Sequence, residues 1–240
     1  MSSSQCCENP PTLSSTSGEG TVQDVGGLKA YVTGSSLSNR AILLASDVFG
    51  YEAPNLRALA DKVAAAGFFV VVPDFLYSDP FEYDNPQFDR ELWLKVHNLE
   101  KGCEDAKKVI AALKSKGVTA IGIAGFCWGG SVVLKVASSS DDIQAAVIFH
   151  PGWSKDEDIT DAKVHIAILG AEIDNFAPPE QLIRCGEILS SKSEIDSFVK
   201  IFPGVVHGFS VRYSVEDEAA VKNAEEAHLD MLNWFTKYVN

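Results

Sequence analysis

The sequence contains few cysteines, few basic residues and no long apolar run, and each shortage excludes a class of protein. Five cysteines among 240 residues include no CxxC pair, so neither a disulfide framework nor a zinc site is predicted. No stretch approaches the roughly 18 consecutive apolar residues of a membrane span. Lysine and arginine number 20 against 33 aspartates and glutamates, a net charge of -13. This charge argues against nucleic acid and anionic membranes as partners.

The first 20 residues, MSSSQCCENPPTLSSTSGEG, are rich in Ser, Pro, Thr and Gly. Their composition predicts a flexible leader over residues 1–20, with Cys6 and Cys7 in a solvated tail. A metal or redox role for this adjacent pair is the alternative. The segment lacks the basic and apolar regions of a secretory signal and the arginines of a transit peptide. We therefore expect a reducing, cytoplasmic setting and a single domain over residues 21–240.

Strand and helix patterns alternate along the rest of the chain. Two short segments around Gly26-Gly27 predict an opening hairpin. Apolar strands follow at AILLAS, FFVVVPDF, VTAIGIAG, AAVIFH, KVHIAILG and DSFVKIF, with helical spacing in most of the segments between them. Strands that are apolar on both faces indicate an α/β fold, in which helices cover both faces of a mostly parallel central sheet. Such sheets carry their sites at the carboxyl ends of the strands.

The segment GFCWG, residues 125–129, follows one of these strands and precedes a helix pattern. It fits the G-x-Nuc-x-G nucleophile elbow, with Cys127 in place of serine. Small residues on both sides relieve crowding in the strained turn, and the start of the following helix favours the thiolate. The backbone N–H of Trp128 would then point toward an oxyanion. A strand–glycine–helix joint with a packed cysteine is the alternative.

An elbow nucleophile requires an acid and then a histidine, each placed after a later strand. The segment AEIDNFAPP offers Asp174 as the acid, and PGVVHGF offers His207 as the base. Glu172 is an alternative acid, and Asp174 is also placed to cap a helix. His150 ends a strand in FHPG, and we expect a structural residue or a substrate contact there rather than a base.

With these motifs in place, the sequence resembles the dienelactone hydrolase family of α/β-hydrolases. The similarity extends from SDVFGYEAPNLRALADKVAAAGFFVVVPDF through GIAGFCWGG to FPGVVHGF, and QCCENPP with HGFSVRY resembles the plant branch. The resemblance implies an α/β-hydrolase fold and a triad of Cys127, His207 and Asp174 that acts on lactones and esters. It implies no metal or organic cofactor. It also implies that the backbone N–H of Val48 is the second oxyanion donor.

The resemblance also suggests further contacts around the site. The family places a glutamate against the resting thiol, and here that position is Asp47, one methylene shorter. Bacterial members anchor a substrate carboxylate with arginines, for which Arg212 and Arg90 are the candidates; exposed surface charge is the alternative for both.

A polar, aromatic stretch at 77–95 precedes the first long helix pattern after the FFVVVPDF strand. It is either a lid that shapes an apolar pocket together with Trp128 and Trp153, or a plain surface loop.

These residues predict acyl transfer on a small-molecule lactone or ester, through a thioester that water releases as the acid. One alternative is a non-hydrolytic cyclase or lyase of specialised metabolism that uses the same pocket. Another is a catalytically weak, ligand-binding homologue. Plant members of the family are sometimes called glucanases, but glycoside cleavage needs a carboxylate pair. We expect a monomer or weak homodimer, with neither nucleic acid nor a membrane as a partner.

Overall fold

The computed structural model describes residues 7–152 and 156–240. In these residues eight strands form one sheet, in the order β1-β2-β4-β3-β5-β6-β7-β8. The strands are β1 (Thr21–Val25), β2 (Leu28–Thr33), β3 (Arg40–Ala45), β4 (Phe69–Pro73), β5 (Ala120–Phe126), β6 (Ala145–Phe149), β7 (His165–Ile173) and β8 (Ser197–Val206). The helices are α1 (Pro54–Ala65), α2 (Arg90–Val96), α3 (Leu99–Ser115), α4 (Trp128–Ser139), α5 (Asp156–Thr160), α6 (Pro179–Ser190) and α7 (Glu218–Tyr238).

The sheet begins with the predicted hairpin and then becomes parallel. β1 and β2 pair antiparallel across Gly26 and Gly27, whose φ angles of 66° and 83° are the left-handed values that glycine adopts readily. β2 pairs antiparallel with β4, and every later pairing is parallel. The carboxyl ends of β3 through β8 therefore lie at one edge of the sheet, where α/β proteins bind ligands.

Apolar side chains cover both faces of the sheet. Successive residues of a strand point to opposite faces, and Ile42 and Leu43 of β3 accordingly belong to different apolar clusters. The cluster of Leu43 contains residues of α3 and α4, such as Val132, whereas that of Ile42 contains residues of α1 and α7, such as Leu59 and Phe235. The prediction of a mostly parallel sheet with helices on both faces is confirmed.

Some element boundaries differ from the sequence prediction. The end of the stretch at 77–95 belongs to α2, which runs on to Val96, and α5 was not predicted. β8 continues past Phe202 to Val206 because it pairs with the long β7 across an irregularity in the register. The last helix begins at Glu218 rather than near Val215, because the Asp217 carboxylate accepts from the first backbone N–H groups and caps the helix there.

Residues 7–20 lie against the domain. They include no β-strand or α-helix, but Ser14 donates its backbone N–H to the carbonyl of Glu52 at 3.0 Å. Cys7 is only 3% exposed and belongs to the same apolar cluster as Phe75 and Trp93. The expectation of a solvated Cys7 is therefore wrong, because its side chain is buried within an apolar cluster. Cys6 lies outside the described residues, and the boundary near residue 20 stays a prediction.

Candidate active site

Four predicted site residues each follow directly after a strand. Cys127 comes after β5, His150 after β6, Asp174 after β7 and His207 after β8. These strands are neighbours in the sheet and run parallel. The fold therefore brings all four residues to one edge of the sheet. No helix within the described ranges has the length and apolar character that crossing a membrane would require.

Cys127 lies in a strained turn between β5 and α4. Its φ of 53° is unusual for a residue other than glycine, and such strain costs about 1–3 kcal/mol and concentrates at functional sites. The backbone is held by two hydrogen bonds, from the Cys127 N–H to the Phe149 carbonyl at 3.1 Å and from the Gly152 N–H to the Cys127 carbonyl at 3.0 Å. Cys127 is the N-cap residue of α4, a position that favours a thiolate.

The glycines of the elbow are required by close backbone contacts. A Cβ at Gly125 would lie 2.2 Å from the carbonyl oxygen of Gly129, and a Cβ at Gly129 would lie 2.3 Å from that of Ala45. No side chain fits at such distances. The loop that follows β3 therefore packs closely against the first turn of α4.

Asp174 and His207 form a buried acid–histidine pair. Oδ2 of Asp174 lies 2.7 Å from Nδ1 of His207, and both side chains are shielded from solvent. The other carboxylate oxygen accepts the backbone N–H groups of Phe176 and Ala177, which fixes the orientation of the carboxylate. Asp174 does not cap the next helix, since the N-cap of α6 is Pro178.

Glu172, the alternative acid, lies elsewhere. It is exposed, and its carboxylate accepts the backbone N–H of Gly204 at 2.7 Å. The carboxylate that bonds His207 is therefore that of Asp174.

His150 packs against the histidine of this pair. Its ring meets the His207 ring edge to face, with centroids 5.0 Å apart. Its Nε2 lies 2.8 Å from the hydroxyl of Ser210, and its φ of 32° is a second strained value at this edge. His150 has no exposed surface, as is also true of Cys127, so both a structural role and a substrate contact stay predictions for it.

Ser210 is a site residue that the sequence reasoning missed. Its hydroxyl bonds His150, and its carbonyl oxygen lies 2.7 Å from Nε2 of His228 in α7. Burial lowers the pKa of His228 to about 4. The only sequence signal for Ser210 is its place three residues after His207 in HGFS, which gives no indication of either partner.

Asp47 is paired with Arg212. Its Oδ2 lies 3.4 Å from Nε of Arg212, and both side chains are almost fully buried. Nη1 of Arg212 also donates to the carbonyl of Glu8 at 2.9 Å. Surface charge is therefore the wrong interpretation of Arg212, because its guanidinium lies between a carboxylate and a carbonyl in the interior.

The guanidinium of Arg212 also lies close to Gly208. A Cβ at Gly208, the neighbour of His207, would come within 2.2 Å of Nη2 of Arg212. The positive φ of Gly208, 88°, also favours glycine. Both the space and the backbone angle at position 208 thus suit glycine alone.

The stretch at 77–95 is attached to the loop that contains Val48. The backbone N–H of Phe81 donates to the Val48 carbonyl at 2.8 Å, and the rings of Phe81, Phe88 and Trp93 pack together. Arg90 is half-buried, with its guanidinium 5.8 Å from the centre of the Phe81 ring. The stretch therefore borders the candidate site.

The sequence prediction of an apolar pocket names two tryptophans, of which the structure describes Trp128. The indole of Trp128 is 1% exposed and donates to the carbonyl of His97 at 2.9 Å. Its ring lies near that of Phe75, with centroids 6.4 Å apart, and a pocket-lining role for Trp128 stays a prediction. Trp153 lies outside the described residues. In the described part of the chain, no three His, Cys, Asp or Glu side chains are grouped so as to hold a metal ion.

An elbow and a buried acid–histidine pair at the carboxyl edge of a mostly parallel sheet are the features of an α/β-hydrolase. The dienelactone hydrolase family model matches residues 28–239, and the chain belongs to that family. The resemblance read from the motifs is thereby confirmed. Family membership makes the protein an enzyme of the ester and lactone hydrolase class.

The chain is also similar to individual proteins and solved structures. The chain is 44% identical over 199 residues to a maize protein named endo-1,3;1,4-beta-D-glucanase, covering 80% of this chain and 64% of that protein. It is 33% identical over 216 residues to the mouse carboxymethylenebutenolidase homolog, covering 88% of each. A dienelactone hydrolase-like promiscuous phosphotriesterase from metagenomic libraries has the same fold, with a TM-score of 0.70 at 17% identity and coverage of 92% of this chain and 99% of that one.

Proposed function

We propose that the protein hydrolyses lactone or ester bonds of small molecules with a triad of Cys127, His207 and Asp174. The observation that carries the proposal is the 2.7 Å bond between His207 and Asp174. Both residues lie at the same edge of the sheet as Cys127, which follows directly after β5. A nucleophile, a base and an orienting acid are the minimum set for acyl transfer by a triad.

In the proposed mechanism the sulfur of Cys127 attacks the substrate carbonyl, and His207 takes up the thiol proton. Asp174 keeps the proton on Nδ1 of His207, so that Nε2 is the basic nitrogen. Collapse of the tetrahedral intermediate gives a thioester and releases the alcohol, to which His207 returns the proton. Water activated by His207 then hydrolyses the thioester, yielding the acid and the thiol.

The backbone N–H groups of Trp128 and Val48 are the proposed oxyanion donors. Trp128 is the first residue of α4, where N–H groups lack intrahelical acceptors. Val48 lies in the loop that Gly129 allows to approach α4. Removal of one such donor from an oxyanion hole typically lowers kcat by about 100- to 1000-fold.

The name of the maize relative does not suit this arrangement of carboxylates. Glycoside cleavage needs two carboxyl groups that act on the substrate. Here Asp174 bonds His207 and Asp47 pairs with Arg212. The site therefore favours acyl chemistry over glycoside hydrolysis.

The proposal is tested by assaying a panel of lactones and aryl esters in water enriched in oxygen-18. Cys127→Ala should abolish turnover, whereas Cys103→Ala, which removes another buried cysteine, should leave it within about twofold. Solvent oxygen in the product acid supports hydrolysis, and its absence from a released product indicates the cyclase or lyase alternative. A stoichiometric burst without turnover indicates the ligand-binding alternative, and full activity of Cys127→Ala overturns the triad.

Gating of the thiol by Asp47 is a separate proposal with its own measurement. If Asp47 restrains the resting thiol, Asp47→Asn should change the rate at which iodoacetamide alkylates Cys127 in the absence of substrate. An unchanged alkylation rate contradicts gating. The cytoplasmic setting and the monomer or weak homodimer stay predictions.

A further inference from the structure

Residues 8–17, which we call the strap, run beside the loop at 46–53 that contains Asp47 and Val48. The backbone N–H of Ser14 in the strap donates to the carbonyl of Glu52 in that loop, at 3.0 Å. Two buried arginines connect the same two segments at other points. The contacts of these arginines determine what the strap does.

Arg57 in α1 makes the first connection. Its Nε donates to the carbonyl of Tyr51 at 2.9 Å, and its Nη1 donates to the carbonyls of Ser15 at 2.9 Å and Ser17 at 3.1 Å. The side chain is 1% exposed and lies between the rings of Tyr31 and Tyr51. One guanidinium thus holds both the strap and the loop.

Arg212 makes the second connection. It pairs with Asp47 in the loop and donates to the carbonyl of Glu8 at the start of the strap. Its guanidinium also lies over Gly208, next to His207. Arg212 therefore contacts the loop, the strap and the turn that contains the proposed base.

The energetics of burial explain why the strap matters to these arginines. A buried guanidinium is strongly destabilising unless its N–H groups have acceptors. Three carbonyls of the strap accept hydrogen bonds from these arginines. They are the carbonyls of Glu8, Ser15 and Ser17. Without the strap, Nη1 of Arg57 and Nη1 of Arg212 would lose these acceptors.

We propose that the strap is part of the active site, and that Arg57 and Arg212 are positioning residues that hold the loop at 46–53 in its catalytic geometry. The inference rests on the proposed function, because Val48 of that loop is the proposed oxyanion donor. It assigns Arg212 a structural partner in Asp47 rather than a substrate carboxylate. The strap then affects the rate of the reaction without contacting the reacting atoms.

The test uses Arg57→Lys and Arg212→Lys in the full chain, since lysine keeps the charge but not the fork of donors. We expect kcat to fall about 10- to 100-fold with KM within about threefold, as for a displaced oxyanion donor. The fall should be equal for a neutral aryl ester and for a lactone that carries a carboxylate. Arg40→Ala is the control and should leave kcat unchanged. Arg40 is the first residue of β3, and its guanidinium packs on the ring of Phe68.

Hydrogen exchange measured by mass spectrometry gives a readout that does not depend on turnover. Both lysine variants should exchange faster than the wild type in peptides covering the strap and residues 46–53, with the amides of β5 unchanged. Faster exchange with kcat within twofold of the wild type would overturn the positioning role, as would unchanged exchange. A rise in KM confined to the carboxylate-bearing lactone would instead make Arg212 a substrate contact. If the wild type hydrolyses no ester or lactone, the proposed function fails, while the exchange result still decides whether the arginines hold the loop.

Discussion

Nδ1 of His207 lies 2.7 Å from Oδ2 of Asp174, and neither side chain is exposed to solvent. The second oxygen of the same carboxylate accepts the backbone N–H of Phe176 at 2.8 Å. The backbone of the segment that follows β7 thus fixes one oxygen of the carboxylate, and the other oxygen bonds the imidazole. These contacts leave the Asp174 carboxylate little freedom to move, as its proposed role of orienting His207 requires.

Asp174→Asn should lower kcat by about 100- to 10,000-fold with little loss of folding stability. The amide oxygen replaces the acceptor for the backbone N–H groups, so the amide NH₂ faces His207 and favours the wrong tautomer. Steady-state kinetics on an aryl ester measure the effect. Glu172→Gln is the matched control, because Glu172 bonds Gly204 instead; an equal loss in both variants would contradict the assignment.

Gly129→Ala should lower kcat without abolishing folding. The added methyl group would lie 2.3 Å from the Ala45 carbonyl and 2.4 Å from that of Ser46, so the loop that follows β3 must move away from the elbow. We expect a loss of about 10- to 100-fold, since displacements of about 1 Å have such effects. Gly186→Ala in α6 is the control, with a nearest contact of 3.0 Å to a side-chain methyl. Equal activity of the two variants would show that the loop position does not matter.

His150→Ala should reduce kcat about tenfold with KM nearly unchanged, because the His207 ring loses the partner that restrains it at a centroid distance of 5.0 Å. His150→Phe restores an aromatic wall but not the bond to Ser210. Recovery of most of the lost activity in His150→Phe would confirm that ring packing is the relevant contact. A change confined to KM in both variants would indicate a substrate contact instead.

The low pKa of His228, about 4, predicts acid-dependent stability. Burial disfavours the charged imidazole, while the Ser210 carbonyl and Glu225 oppose this effect and Lys62 adds to it. Between pH 6.5 and 4 the unfolded chain binds a proton at His228 and the folded chain does not, so the free energy of unfolding falls as the pH falls.

Urea unfolding at pH 6.5 and pH 5 measures this contribution, which should be about 1.6 kcal/mol over that interval. His228→Gln keeps a donor for the Ser210 carbonyl but does not titrate. Between the two pH values its free energy of unfolding should therefore fall by that much less than the free energy of unfolding of the wild type. The same pH dependence in both proteins would rule out His228 as the source.

Much of the fold follows from short-range patterns in the sequence. Continuous apolar runs such as AILLAS and AAVIFH predicted strands that the structure buries on both faces. Gly26 and Gly27 marked the opening hairpin. The ends of β7 and β8 could not be predicted from such patterns, because the two strands extend by pairing with each other across a register irregularity.

The candidate site was partly predictable because strand ends share one edge of a parallel sheet. Cys127, Asp174 and His207 each sit in a distinctive motif directly after a strand. The contacts of Arg57 and Arg212 with residues 8–17 gave no such signal, because the partners there are backbone carbonyls 40 or more residues away in the chain. Backbone carbonyls are the same for every residue type, so such contacts leave no trace in composition or spacing.

The central claim is that Cys127 carries the acyl group between the two chemical steps. Intact-protein mass spectrometry after rapid acid quench of the enzyme with an aryl ester tests it directly, with peptide mapping of the modified residue. We predict an added acyl mass on Cys127 that hydroxylamine removes, and no added mass in Cys127→Ala. An acyl group on another residue, or steady turnover by Cys127→Ala, would contradict the account.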